Sequence, residues 1–425
     1  MFGAVGDGVT DDYAALQTAF SSPHTLELTP GKIYATSGKL NIVTNNKFIS
    51  GYGSEIRKLD NVKATISVSH LNGTLLQGLK LTLAIPINGG ANPAEAPGVD
   101  ANVHTIIMLE CTNYKIEDCY IDGSWEMGIG NQNCINGYIH NNTIKNCYRD
   151  GTYSQYSAKM IYEGNHYYNI KDDAMSMHDY GIDAQKPEII AAGYLQAGHS
   201  KIINNTVDVA YQGVSSIGCT DIEISGNVIK NTVNAGIAAF TADWEFNGST
   251  ATVNHVNIHD NTIYKACTSQ IMNGVVFNDY GQIGTGKAAL CVISTGADAF
   301  YTSATRRLSN ITVTNNTVSY SGANGYLMNN IDHLSFSCNK ALNCNRDQSP
   351  YTGTIDEIFS CNDIAVYNNT ITDTNDGGIK HIVAYKIASS IGINGKWDIS
   401  GTTNLNQYSI TSSTLSAVPK IMLSN

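Results

Sequence analysis

A short apolar unit recurs along the chain. It is an asparagine, any residue, then Ile or Val, with a small residue nine places after the asparagine. Asn142-Thr143-Ile144 leads to Gly151, and Asn227-Val228-Ile229 leads to Gly236. Asn316-Thr317-Val318 leads to Gly325, and Asn369-Thr370-Ile371 to Gly378. Asn165 with Ala174, Asn205 with Gly213, and Cys119 with Gly128 are variants of the same unit. The steps Cys119 to Asn142, Asn142 to Asn165 and Asn316 to Asn339 are each 23 residues, and Asn205 to Asn227 is 22. Longer steps of 40, 34 and 55 residues mark insertions. A period near 23 predicts one coil of a parallel β-helix, with three short strands and three turns stacked about 4.8 Å on the next coil. The Trp-Asp marks of a propeller and the L-x-x-L-x-L of a leucine-rich array are missing.

Aligning the repeats gives a register. With Gly151, Ala174, Gly213 and Gly236 as one column, strand alternation turns Thr152, Met175, Val214, Ile237 and Val275 inward. Tyr153, Gln155, Ser176, His178 and Ser215 then point outward, a polar and aromatic face suited to a sugar-binding groove. One place before the small residue stand Met127, Asp150, Asp173, Gln212 and Ala235. At the N-terminus, Thr10 is the expected helix cap, Asp11 and Asp12 the acidic first turn, and Ala14 to Phe20 the helix. Leu16 and Phe20 are expected on the first coil. The expected organisation is an opening motif and capping helix over 1–20, an all-β right-handed parallel β-helix over 21–385, and a capping or trimer-contact segment over 386–425.

Composition now acquires a cause. Only 14% of the 425 residues are charged, whereas 45 are Asn and 39 are Gly. A charge repeated on every coil repels itself, whereas stacked asparagine amides hydrogen-bond to one another. Glycine is expected where the chain turns with positive φ. The net charge of −11 argues against nucleic acid as a partner. No run of 18 apolar residues appears, so no membrane insertion is expected. The start, MFGAVGDGVTDD, lacks the basic and apolar parts of a signal peptide, so any secretion or attachment segment is expected to lie outside this chain. Ten cysteines without C-x-x-C pairs read as reduced and buried, with no zinc site and no other metal or cofactor.

The segment Phe2-Gly3-Ala4-Val5-Gly6-Asp7-Gly8-Val9-Thr10-Asp11-Asp12 resembles the opening motif of the pectate-lyase superfamily. With the repeats, this resemblance covers residues 1–385. It implies a right-handed parallel β-helix of the polygalacturonase and phage-tailspike type. The carboxylates extend the likeness to glycoside hydrolase family 28, whose Asn-Thr-Asp rung is matched by Tyr148-Arg149-Asp150 and whose Asp-Asp rung is matched by Asp172-Asp173. By that resemblance Asp172 is the general acid, and Asp150 with Asp173 activates water. The family's Gly-His-Gly stands here as Tyr211-Gln212-Gly213, and its Arg-Ile-Lys has no counterpart near Gly236. Those cations bind a galacturonate carboxylate, so their loss speaks against pectin as the substrate.

The residues alone support the same chemistry. Stacked Asp150 and Asp173 cannot both ionise easily, and an acid beside an ionised base is what glycosidic hydrolysis needs. Alternatively, Arg149 bridges Glu126 and Asp172 in a surface ladder, and stacked Asp residues cap turns. Substrate contacts are expected from His178, Tyr153 and Gln212, and from the loop segments Trp125-Glu126 and Asp243-Trp244-Glu245, where tryptophan beside acid suits a sugar face. The expected function is depolymerisation of a bacterial capsule, O-antigen or exopolysaccharide by a tailspike core. The resemblance implies a homotrimer in a virion tail, or a secreted enzyme if bacterial. The rivals are a polysaccharide lyase, with Tyr153, His178, Lys159 or Lys171 as base, and a non-catalytic carbohydrate-binding spike.

Overall fold

The computed structural model describes residues 2–60, 62–85, 103–242, 249, 251–272, 274–277, 288–294, 308–345, 354–359, 361–372, 383–388, 391–400, 406–411, 414–415 and 420–423. Two compact units divide the chain. The first comprises Met1–Met177, Asp183–Ala210 and Ile271–Val275, and the second His178–Ile182, Tyr211–Gln270 and Val276–Asn425.

In the first unit three columns of parallel strands repeat at the expected period. Ile106 pairs with Ile129 and Ile129 with Thr152, each 23 residues on. Ile116 pairs with Ile139 and Ile139 with Tyr162, while Ile121 pairs with Ile144 and Ile144 with Tyr167. The second unit is built likewise, with Ile222, Val256, Ile311, Leu334 and Ile364 in one register. Its parallel pairing runs on where no repeat is legible in the sequence, from Val383–Ala388 to Asn406–Thr411 and from Ile391–Ser400 to Lys420–Leu423.

The asparagine ladder forms as its chemistry requires. In the first unit the Asn165 side-chain oxygen accepts from the Asn142 backbone N–H and from its Nδ2, both at 2.9 Å. Asn205 does the same for Asn165 at 2.9 and 3.0 Å. The second unit runs Asn227, Asn261, Asn316, Asn339 and Asn369 in the same way. Each amide also donates to a strand carbonyl, as Asn142 does to Ile116. These side chains are buried, and a buried polar group is tolerated because it is fully paired.

Positive φ falls to asparagine more than the glycine column led us to expect. The residue just before the ladder is left-handed at Asn141 (54°), Asn204 (57°), Asn315 (55°) and Asn368 (54°). Asparagine tolerates that region because its short side chain bonds locally. The repeated glycines are small for a different reason. A Cβ on Gly128 would lie 2.7 Å from the Gly151 carbonyl oxygen, and one on Gly151 would lie 2.6 Å from that of Ala174. The column sits where one coil passes directly over the next.

The N-terminal helix covers Tyr13–Ser21, with Leu16 and Phe20 buried. Its cap differs from expectation. Thr10 lies in the strand Asp7–Asp11 and donates to Asp7, while Asp12 takes the cap position. The Asp12 carboxylate accepts from Val5 and Gly6 N–H instead of capping the helix. The helix protects a strand through Gln17, whose amide donates to the Asn41 carbonyl and accepts from the Asn41 N–H, both at 2.9 Å. Both backbone groups are thereby satisfied, which blunts an edge that would otherwise pair with another chain.

Tyrosine is drawn inward as well as outward. Tyr114, Tyr156, Tyr162 and Tyr167 are fully buried. The Tyr167 hydroxyl meets Thr152 Oγ1 at 2.9 Å, Tyr162 meets Ser154, and Tyr114 donates to Asn131 at 2.6 Å. The interior behind the candidate site thus carries paired hydroxyls among its buried aliphatic side chains. Nine of the ten cysteines are buried.

Candidate functional site

The carboxylates are placed by backbone register. The Asp150 carbonyl accepts from Gly128 N–H and the Asp173 carbonyl from Gly151 N–H, both at 3.0 Å. Asp150 and Asp173 therefore occupy one position on successive coils. Both are buried, and an oxygen of one lies within 4.8 Å of an oxygen of the other. The Ser176 hydroxyl donates to Asp150 Oδ2. Two carboxylates within that reach repel when both are ionised.

Asp150 precedes the strand Thr152–Gln155, and Asp172 and Asp173 lie within the strand His166–His178. Asp172 is half-buried. Simple alternation ends here, because residues 173–178 are all buried. Ser176 and His178, expected on an open outer face, are covered. Ser215 is buried too. The His178 Nδ1 lies 2.7 Å from the Tyr180 hydroxyl, and burial pulls the imidazole pKa down to about 3, so the ring is neutral at ordinary pH. A neutral, enclosed imidazole is not the surface contact the alternation predicts.

The other sequence candidates divide. Tyr153 is half-buried on the outer side of its strand and lines a cleft. Gln212 is buried. Trp125 is only 7% exposed and packs tilted against Tyr148 at 6.4 Å between centroids, which leaves little open face for a sugar. Lys171 sits 4.7 Å over the Tyr148 ring, and burial lowers its pKa. Trp244 and Glu245 lie outside the described residues.

The cleft itself was not foreseen. It encloses about 190 Å³ on the outer side of strands Ile106–Leu109, Ile129–Gln132 and Thr152–Gln155, beside His104 and Glu126. His104 Nδ1 and Glu126 Oε2 lie 3.0 Å apart, each side chain 12% exposed. Glu126 Oε2 also accepts from Val103 N–H at 3.1 Å. Gly130 makes room for the imidazole, since a Cβ there would lie 2.4 Å from His104 Cδ2. A signal for His104 was present in the sequence. Counting back in steps of 23 from Asp173 through Asp150 and Met127 reaches it.

Residues 100–265 match the family model described as a right handed beta helix region. No curated protein matches the sequence. Among solved structures the chain is similar to tailspike protein 3 of bacteriophage CBA120, with a TM-score of 0.63 and 11% identity over 100% of this chain and 61% of that one. It is similar to the family 28 exopolygalacturonase of Yersinia enterocolitica, with a TM-score of 0.57 and 14% identity over 99% of this chain and 77% of that one. It is also similar to the tailspike protein of E. coli bacteriophage HK620, solved with a pentasaccharide, with a TM-score of 0.56 and 11% identity over 95% and 75% of the two chains. The chain thus spans about three fifths of the CBA120 tailspike chain. The fold is a right-handed parallel β-helix.

Proposed function

We propose that the chain is a polysaccharide depolymerase that hydrolyses glycosidic bonds of a bacterial surface polysaccharide. Asp172 protonates the departing glycosidic oxygen. Asp150 and Asp173 take a proton from the attacking water, whose oxygen bonds to the anomeric carbon as the glycosidic bond breaks. The observation that carries this reading is the buried pair of carboxylates, Asp150 and Asp173, stacked on successive coils. Two carboxylates this close repel when both are ionised, and taking a proton from water relieves that repulsion. The Ser176 hydroxyl fixes the orientation of Asp150. The tailspikes and the exopolygalacturonase that share the fold support carbohydrate as the substrate class and a virion tail or extracellular location. A homotrimer is the assembly we propose, after the tailspike resemblance.

One observation favours a second reading. Lys171 loses its proton more easily than an ordinary lysine because burial lowers its pKa, and a uronate-cleaving lyase needs such a base. The two readings separate on one panel of purified capsule, O-antigen and exopolysaccharide. New reducing ends without new ultraviolet absorbance, abolished by Asp173→Asn, support hydrolysis. Absorbance from a new double bond, abolished by Lys171→Gln and kept by Asp173→Asn, overturns it in favour of elimination. Binding without cleavage leaves a carbohydrate-binding spike.

A further inference from the structure

We infer that the cleft formed by His104, Glu126, Gln132, Tyr153 and Gln155 is a subsite for one neutral pyranose ring, and that it rejects uronates. This rests on the proposal that the chain acts on a polysaccharide, and it adds the sugar chemistry accepted beside the carboxylate pair.

Position comes first. His104 precedes Thr105, whose N–H bonds to the Met127 carbonyl, just as Gly128 bonds to Asp150 and Gly151 to Asp173. His104, Met127, Asp150 and Asp173 therefore form one column. At one coil per 4.8 Å or so, His104 stands about 10 Å from Asp150 along the same side of the helix. A chain laid along that column meets the cleft and the carboxylates in turn.

The cleft has the character of a small-molecule site: concave, walled by Ile107, Met108 and Leu109, and edged by a few convergent polar groups. Those groups have capacity to spare. Among the described residues, Glu126 uses only Oε2, His104 pairs only through Nδ1, and the side-chain amides of Gln132 and Gln155 make no hydrogen bond. Glu126 Oε1, His104 Nε2 and two amides can thus meet the hydroxyls of a ring. Tyr153, in register with Gly130 one coil on, offers an apolar surface beside them.

Charge decides the class of sugar. Among the described residues, the lining holds one carboxylate and neither lysine nor arginine. A uronate would set its carboxylate against Glu126 in a confined site, where like charges cost most. A hydroxyl or an acetamido group meets no such penalty, and a hydroxyl donates to the carboxylate in a charge-assisted bond.

The test is titration of the full chain with glucose, galactose, N-acetylglucosamine, glucuronate and galacturonate by saturation-transfer NMR, with depolymerase activity read on the same samples. The expected result is binding of at least one neutral sugar, with both uronates at least about tenfold weaker. Glu126→Gln should weaken the neutral sugar by about tenfold and narrow the gap to the uronates, as for loss of a hydrogen bond to a charged group. Gln155→Ala, at a strand surface where refolding is not at stake, should weaken it severalfold. Circular dichroism confirms that both variants fold. No binding of any of the five sugars, preference for a uronate, or binding indifferent to both variants overturns the subsite. Cleavage without monosaccharide binding defeats the subsite alone. Binding that responds to Glu126→Gln, in a chain that cleaves no polysaccharide, keeps the subsite and defeats the depolymerase reading.

Discussion

The first unit stacks two kinds of polar side chain at the same period. One stack is Asn142, Asn165 and Asn205, and the other holds Asp150 and Asp173. Both are buried. The asparagine stack is self-complementary, because each amide is at once the donor to one neighbour and the acceptor from the other. The aspartate stack cannot be, because ionised carboxylates only accept. Asp150 draws a donor from Ser176, on the strand that carries Asp173. The amide ladder accounts for its own presence through stability. A carboxylate pair in the same kind of surroundings adds repulsion, so its presence calls for chemistry.

Four substitutions would break or sharpen that contrast, in order of expected effect. Asp173→Asn should lower polysaccharide cleavage by about 10²- to 10⁴-fold, the usual weight of a general acid or base, with the thermal midpoint unchanged or raised. Reducing-end assays beside a melting curve read both. Next comes acid. His178 has a folded pKa of about 3 against an ordinary 6.5. Its neutral form stabilises the fold fully above pH 6.5, and that contribution is lost as pH falls from 6.5 towards 3. The loss is about 5 kcal/mol. His178→Gln should flatten stability over that window in urea titrations at stepped pH. Asn165→Ala removes a rung of the ladder: the Asn142 backbone N–H loses its acceptor, and Asn142 Nδ2, the Asn205 oxygen and the Ile139 carbonyl each lose one bond. We expect a loss of about 3 kcal/mol, read as a lower urea midpoint. Gln17→Ala removes the paired bonds to Asn41 and should cost about 1 kcal/mol, with a greater tendency to associate through the exposed edge, seen by light scattering.

Much of this was legible in the sequence because a solenoid writes its register as a period. The 23 residues from Asn142 to Asn165 set the coil, and the same count stacks Asp150 on Asp173. What the period does not carry is the reason a small residue is required. Gly128 and Gly151 were expected as positive-φ turns, yet their lack of a side chain serves close passage of the next coil. Nor does the period carry what lies over the wall. Ser176 and His178 alternate outward by count but are buried, because alternation assumes an open outer face. Trp125 was expected as a platform and is mostly packed away, since the sequence shows a loop but not its folding. Thr10 was expected as a cap, but two aspartates follow it and the second takes the cap position. His104 escaped notice because Met127 interrupts the polar column between it and Asp150.

The central claim is that the aspartate stack exists for chemistry and the asparagine stack for stability. The double variant Asp150→Asn with Asp173→Asn tests it most directly, by thermal midpoint and polysaccharide cleavage on the same sample. The account predicts a midpoint equal to or above that of the parent, with cleavage abolished. A lower midpoint, with cleavage surviving in the fraction that remains folded, would contradict it and make the aspartates one more structural ladder.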